Sequence, residues 1–183
     1  MRIGILGGTG PAGRGLAVRL AAAGDEVVLG SRDAERAATV AAGLVESWPD
    51  RALAGKVVVS MANALVKEGR EFLALMPPRG SVAATVQAAL PESLVSASFH
   101  HLPASEMEKL SNPVTADVLV CSDHVEATSA TLELVDRIEG LRGIDAGSLS
   151  QAAAIEAFTA VLITVNIRHK VHAAVQLAGF SDA

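Results

Sequence analysis

Residues 2–13 read RIGILGGTGPAG, and the fold is decided here. Arg2 to Leu6 is a short apolar run with the pattern of a buried strand, and it stops in glycines. Pro11 to Ala23 is rich in Ala and Leu and is followed by Gly24, which predicts a helix with a glycine stop. Between them Gly8, Gly10 and Gly13 stand at the spacing G-x-G-x-x-G. A strand, a glycine turn and a helix in this order form the dinucleotide-binding fingerprint. Gly8 permits the tight turn, Gly10 lets the backbone approach a pyrophosphate, and Gly13 lets the helix pack close to the strand. Pro11 fits the first helical turn, where its missing N–H is not needed. The free N–H groups of that turn and the helix dipole favour an anion, and Thr9 adds a hydroxyl donor.

The second strand of such a unit ends beside the adenosine ribose. Here Glu26 to Leu29 is followed by Gly30, Ser31 and Arg32. An acidic residue at this point would bind the ribose hydroxyls of NAD and repel a 2′-phosphate. Ser31 offers a hydroxyl and Arg32 a planar fork, and Arg36 projects from the same helix start one turn on. The expected cofactor is therefore NADP(H) rather than NAD(H). Asp33 and Glu35 stand near enough in sequence to pair with these arginines, in which case the cations are ordinary solvated charges.

Outward from the fingerprint, strands and helices alternate. Asp33 can cap a helix to about Ser47, broken by Trp48-Pro49-Asp50. Lys56–Ser60 (KVVVS), Leu94–Phe99, Asp117–Cys121 and Leu141–Asp145 read as strands. Lys67–Leu75 and Val82–Leu90 read as helices. Ser105 with Glu108, and Asp123 with Glu126, read as capping boxes, the second opening a helix to about Ile138. From Leu149 to about Leu177 the pattern is a long apolar helix ending near Gly179. This order predicts an α/β fold: a Rossmann-like, doubly wound, mostly parallel sheet with a C-terminal helical segment. The expected division is a dinucleotide-binding part, 1–146, and a C-terminal helical part, 147–183.

Composition narrows the function. Of 183 residues half are hydrophobic, 19% are charged, and the net charge is −5, which excludes a mainly disordered chain. There are four Phe, one Trp and no Tyr, and no basic patch, so no nucleic-acid partner is expected. A lone cysteine, Cys121, fits a reducing cytoplasm. The N-terminal apolar run breaks too soon for a signal peptide. The stretch Ala157 to Val165 is too short to span a bilayer, so no membrane partner is expected. His169 and His172 lie three apart on the last helix, but no third ligand stands near them, and no metal is expected. No zinc spacing, GxSxG motif or Ser/His/Asp constellation is evident.

The segments GGTGPAGRG, GSR, VVVSMANALV, PPRGSVAATVQAALP, FHHLPA, DVLVCSD, DAGSL and IEAFTAVLITVN occur in this order over nearly the whole chain. In them the sequence resembles the NADPH-dependent reductases of coenzyme F420. The resemblance implies direct hydride transfer between NADPH and the 8-hydroxy-5-deazaflavin of F420, without a metal or a covalent nucleophile. It implies that Thr9, Gly10, Pro11 and Ala12 hold the pyrophosphate and that Ser31, Arg32 and Arg36 hold the 2′-phosphate. His100, His101, Leu102 and Pro103 would lie against the deazaflavin, with Asn63 facing the same crevice. The two histidines also admit a plainer reading as a polar strand end. The stretch Glu156 to Thr159 would close the deazaflavin side and contribute to a homodimer.

One departure from the family is large. Between SWPDR and ALAGKVVVS its members carry a further strand, a loop that reaches the nicotinamide, and a helix. Here Arg51 runs almost directly into Ala52-Leu53-Ala54-Gly55. The residues themselves give the same warning, since a mononucleotide-binding half is βαβαβ and only βαβ is visible. One or two central strands are thus expected to be missing. The first strand would then pair directly with KVVVS, or be left with a buried open edge. A shortened relative that binds NADP or F420 without turnover is the alternative function.

Overall fold

The computed structural model describes residues 1–5, 10–29 and 54–180. Gly8, Thr9, Ser31, Arg32, Arg36 and the expected helix from Asp33 lie outside the described residues.

The fingerprint region forms β1 (Arg2–Ile5), α1 (Pro11–Ala22) and β2 (Glu26–Leu29), with β1 and β2 parallel. Then come β3 (Val57–Ser60), β4 (Leu65–Glu68), β5 (Glu71–Ala74), α2 (Val82–Ala89), β6 (Leu94–Ala97) and α3 (Ala104–Met107). The chain continues through β7 (Ala116–Ser122), α4 (Val125–Asp136), β8 (Leu141–Asp145), a 3₁₀ turn at Leu149–Gln151 and α5 (Ala152–His169). Strands β3, β6, β7 and β8 form one sheet in that order, in which only β6 and β7 run antiparallel.

Helices cover both faces, as the alternating pattern requires. One core joins Leu16 and Leu20 of α1 and Met107 of α3 to Val118 and Val120 of β7 and Val135 of α4. The other joins Ala83 of α2, Ala97, Cys121, Leu149, and Ala152 and Ile155 of α5. The C-terminal part is therefore packed on the sheet and contributes to its core.

Among the described residues, the β1–β2 pair and the four-stranded sheet share no ladder. Direct pairing of β1 with KVVVS does not occur. Along β1 and β3, Gly4 and Val57 are exposed, while Ile5 and Ser60 are buried.

Three local expectations are corrected. Lys67–Leu75 is not a helix but a hairpin, β4 against β5, in register Glu68↔Glu71. Gly69, at φ 58°, supplies the left-handed turn that a two-residue hairpin loop needs. The two capping boxes do not form. Helix α3 starts from Pro103, Ser105 Oγ bonds the His172 ring, and Asp123 Oδ1 accepts from the Leu149 amide at 3.0 Å. The last helix stops at His169, where Lys170 turns left-handed at φ 54°. Residues 171–177 then double back, and the Asp117 amide donates to the Val175 carbonyl at 2.8 Å.

By length and composition Leu149–His169, 21 residues with mean hydropathy 1.4, is long enough to cross a membrane, which the shorter stretch Ala157–Val165 did not suggest. Its first half packs on the sheet, while residues 161–169 are half-buried or exposed. Leu149, Ala152, Ile155, Thr159 and Ala160 are buried, and so is the carboxylate of Glu156.

Candidate active site

The site lies where β3 and β6 end beside the start of α1, the edge at which open α/β sheets bind ligands. Helix α1 opens on Gly10, in extended conformation at ψ 164°, with Pro11 as its first residue and no acidic residue in the first turn. The Gly10 carbonyl accepts from the Arg14 amide at 2.9 Å. The remaining early amides are available to an anion. Gly13 and Leu16 are buried, and Ala12 and Leu16 face a crevice completed by Met61, Phe99, Leu102, Ala104 and Met107.

Helix α1 is held close to this crevice. Gly15 lies so near α3 that a Cβ there would stand 2.5 Å from Met107 Cβ. Arg19, nearly buried, donates to the carbonyls of Glu106, Met107, Lys109 and Asn112 at 2.9 to 3.2 Å. A guanidinium suits this position because its planar fork meets several acceptors at once.

The other wall is polar. Phe99 adopts φ 61°, a conformation that costs a bulky residue energy and that here turns the chain out of β6. His100 follows, 5% exposed, and among the described residues neither ring nitrogen has a partner. Burial, and then the neighbouring His101, hold its imidazole neutral with a pKa of about 3. His101 is also buried, and its Nε2 lies 2.8 Å from the Asp117 carbonyl oxygen. Burial lowers its pKa, and the Asp117 carbonyl opposes the effect. Arg142 grips the Asp117 carboxylate with two bonds of 2.7 and 2.8 Å, holding that carboxyl below its usual range. Asn63 Nδ2 donates to the His100 carbonyl at 3.4 Å, and Asn63 Oδ1 is buried without a partner. Ser60 Oγ and His101 Nδ1 are buried and unpartnered as well. Among the described residues, five buried polar atoms of four neighbouring residues thus have no partner, and such groups are usually paired, so they suit a ligand's place.

The structure thus brings Gly10, Pro11, Ala12, Asn63, His100, His101, Leu102 and Pro103 to one edge of the sheet. Thr159 does not line the crevice. It is buried on α5, and its hydroxyl donates to the Ile155 carbonyl at 3.3 Å. One turn away, Glu156 accepts from the Val82 and Ala83 amides at 2.8 and 3.0 Å and so caps α2. Among the described residues, no three His, Cys, Asp or Glu side chains gather as metal ligands. His172 lies against α3, 3.1 Å from Ser105 Oγ and 3.4 Å from Glu106, not against His169. Met61, Phe99 and Met107 escaped the sequence reading, for no motif marks an apolar wall residue.

An F420-dependent NADP reductase from Methanocaldococcus jannaschii is 34% identical to this sequence, covering 93% of the chain and 94% of the relative. The chain belongs to this family. A second F420-dependent NADP reductase, from Methanothermobacter thermautotrophicus, is also 34% identical over 93% of the chain and 91% of its own length. The family pattern described as NADP oxidoreductase, coenzyme F420-dependent, matches residues 2–45. The fold is shared with the crystal structure of a candidate F420-dependent NADP reductase from Arthrobacter sp. FB24. That comparison has a TM-score of 0.75 and 22% identity over 94% of this chain and 96% of that one. The alignment with the M. jannaschii reductase has 211 positions, more than the 183 residues of this chain. That family member therefore carries residues with no counterpart here.

Proposed function

We propose that the chain transfers a hydride between NADPH and coenzyme F420. The observation that carries this reading is the crevice itself: a glycine-opened helix start on one side and, on the other, the buried His100 imidazole and the Asn63 side-chain carbonyl, which among the described residues have no partners. When both coenzymes are bound, the hydride passes directly between C4 of the nicotinamide and C5 of the deazaflavin. The residues bind, orient and exclude water.

Gly8, Thr9, Gly10, Pro11, Ala12 and Gly13 take the pyrophosphate, and Ser31, Arg32 and Arg36 take the 2′-phosphate. His100, His101, Leu102 and Pro103 flank the deazaflavin, and Asn63 supplies a carbonyl acceptor to the same ring. A neutral His100 suits this task, because it offers one donor and one acceptor without bringing a charge beside a hydride in transit. The C-terminal part, 147–183, closes the deazaflavin side and supplies a homodimer contact. Its exposed Phe158 and Val161 support the dimer. A free, buried Cys121 supports a cytoplasmic location.

The split sheet favours a second reading, a shortened relative that binds NADP or F420 without turnover. One assay separates the two. Oxidised F420 is mixed with the protein and NADPH, with NADH as control, and its visible absorbance is followed. Rapid bleaching with NADPH alone is the expected result. No bleaching by a folded sample that still binds NADPH would establish the second reading.

A further inference from the structure

Asp117 stands near the start of β7, opposite Arg142 of β8 in the parallel register, and is 2% exposed. Each of its polar groups is engaged. The carboxylate takes the Arg142 fork and also accepts from the Leu177 amide, and the Asp117 amide donates to the Val175 carbonyl. Arg142 donates in turn to the carbonyls of Leu177 at 3.1 Å and Phe180 at 3.4 Å, and its guanidinium lies 5.4 Å from the centre of the Phe180 ring. The ion pair thus ties residues 171–180, a strap that doubles back from α5, to the start of β7. The remaining group, the Asp117 carbonyl, meets His101 Nε2 at 2.8 Å.

That last contact fixes a proton. A carbonyl oxygen only accepts, so Nε2 of His101 carries the hydrogen. Burial lowers the pKa of this ring, and a neutral imidazole has one donor and one acceptor. The lone pair therefore sits on Nδ1, which is buried and, among the described residues, has no partner. An acceptor left in that state suits a donor on a ligand. The hydrogen bond at one ring nitrogen decides what the other can do. Strand ends fray where little holds them, and here the ion pair and the strap hold the end that carries the carbonyl.

We propose that Asp117 and Arg142 are positioning residues for the reaction: with the strap they hold the Asp117 carbonyl against His101, so that Nδ1 is a fixed acceptor for an N–H or O–H group of the deazaflavin. This inference rests on the reading that His101 flanks that ring. Both residues act through the imidazole rather than on the coenzyme. A guanidinium is needed because one planar fork must meet a carboxylate and two carbonyls at once.

The test begins without a coenzyme. In isotope-labelled protein, nuclear magnetic resonance is expected to show a slowly exchanging proton on Nε2 of His101, a signal lost in His101→Gln. Arg142→Ala is expected to speed its exchange about tenfold or more, and millimolar methylguanidinium to restore it. Arg142→Lys keeps the charge without the fork, and should restore it only in part. With coenzymes added singly, Arg142→Ala is expected to weaken F420 binding by about tenfold, read from the deazaflavin fluorescence, and to leave NADPH binding nearly unchanged. A proton on Nδ1 of the unmodified protein overturns the proposal, as does unaltered exchange in Arg142→Ala, or an equal loss for both coenzymes. If Arg142→Ala fails to fold, the signal of the unmodified protein and the exchange in Arg142→Lys decide the matter. A chain with the Nε2 proton in place that binds F420 without reducing it refutes hydride transfer and leaves the positioning role standing, so the two failures are distinguishable.

Discussion

At the scale of single residues, two side chains carry opposite electrostatic tasks. Arg32 is proposed to meet a phosphate dianion. Arg32→Ala is expected to weaken NADPH binding by tenfold or more, on the order of 1.4 kcal/mol, and to leave NADH binding nearly unchanged. Titration with both nucleotides checks this, and equal losses would contradict the 2′-phosphate role. His100 must stay neutral. Its folded pKa of about 3 lies below the ordinary histidine value of 6.5, so an unfolded chain takes up a proton that the folded one refuses. Stability from this group is complete above pH 6.5 and falls as pH drops from 6.5 toward 3, by up to about 1.4 kcal/mol per pH unit. His101, shifted the same way, adds to it. The melting temperature should fall between pH 6.5 and 5, where carboxylates such as Asp25 and Asp117 are still ionised. His100→Gln should flatten that part of the profile.

At the scale of elements, the packing of α1 on α3 decides the shape of the crevice. Gly15→Ala drives a methyl against Met107 and the α3 backbone, and should cost about 1 to 3 kcal/mol by urea denaturation. A result near zero would mean that α3 moves freely. The strands were legible because each is a short apolar run bounded by glycine, proline or charge. The hairpin at 65–74 was not legible. Its alternation is broken by Lys67, Glu68, Arg70 and Glu71, and what fixes it is tertiary: the Phe72 amide donates to Thr164 Oγ1 of α5. The site was legible in part. GxGxxG and the two histidines stand out by type and spacing, whereas the left-handed Phe99 and the buried Asn63 acquire meaning only once β3 and β6 lie side by side. A second cap of α2, beside Ser81, was also hidden, since Glu156 lies 74 residues from the amide of Val82 that it satisfies.

At the scale of the whole molecule, an apolar surface is left over. Phe158 and Val161 of α5 are exposed together with Val66 and Leu73 of the hairpin, which packs beside that helix, and Leu75 and Met76 follow. A face of this kind is expected to be covered by a second copy. Sedimentation should give a dimer, and Phe158→Asp with Val161→Glu should give a monomer of unchanged far-ultraviolet dichroism. A monomeric wild-type protein would sink the idea. Among the described residues, the β1–β2 pair and the four-stranded sheet meet through side chains of one core and share no ladder.

The lone cysteine offers a way to read how firmly those layers hold. Cys121 lies wholly buried in β7, at the contact of β6 with the layer of α2 and α5. Burial first, and then Glu156, Asp123 and Asp145, push its thiol up to about 11. In the closed molecule it is shielded from an alkylating reagent and nearly devoid of thiolate. Labelling must therefore wait for the sheet and its covering helices to separate. The rate at which the single thiol is consumed is thus an intrinsic clock of opening. It reports how often the C-terminal helix lifts, and how far a bound coenzyme slows that excursion.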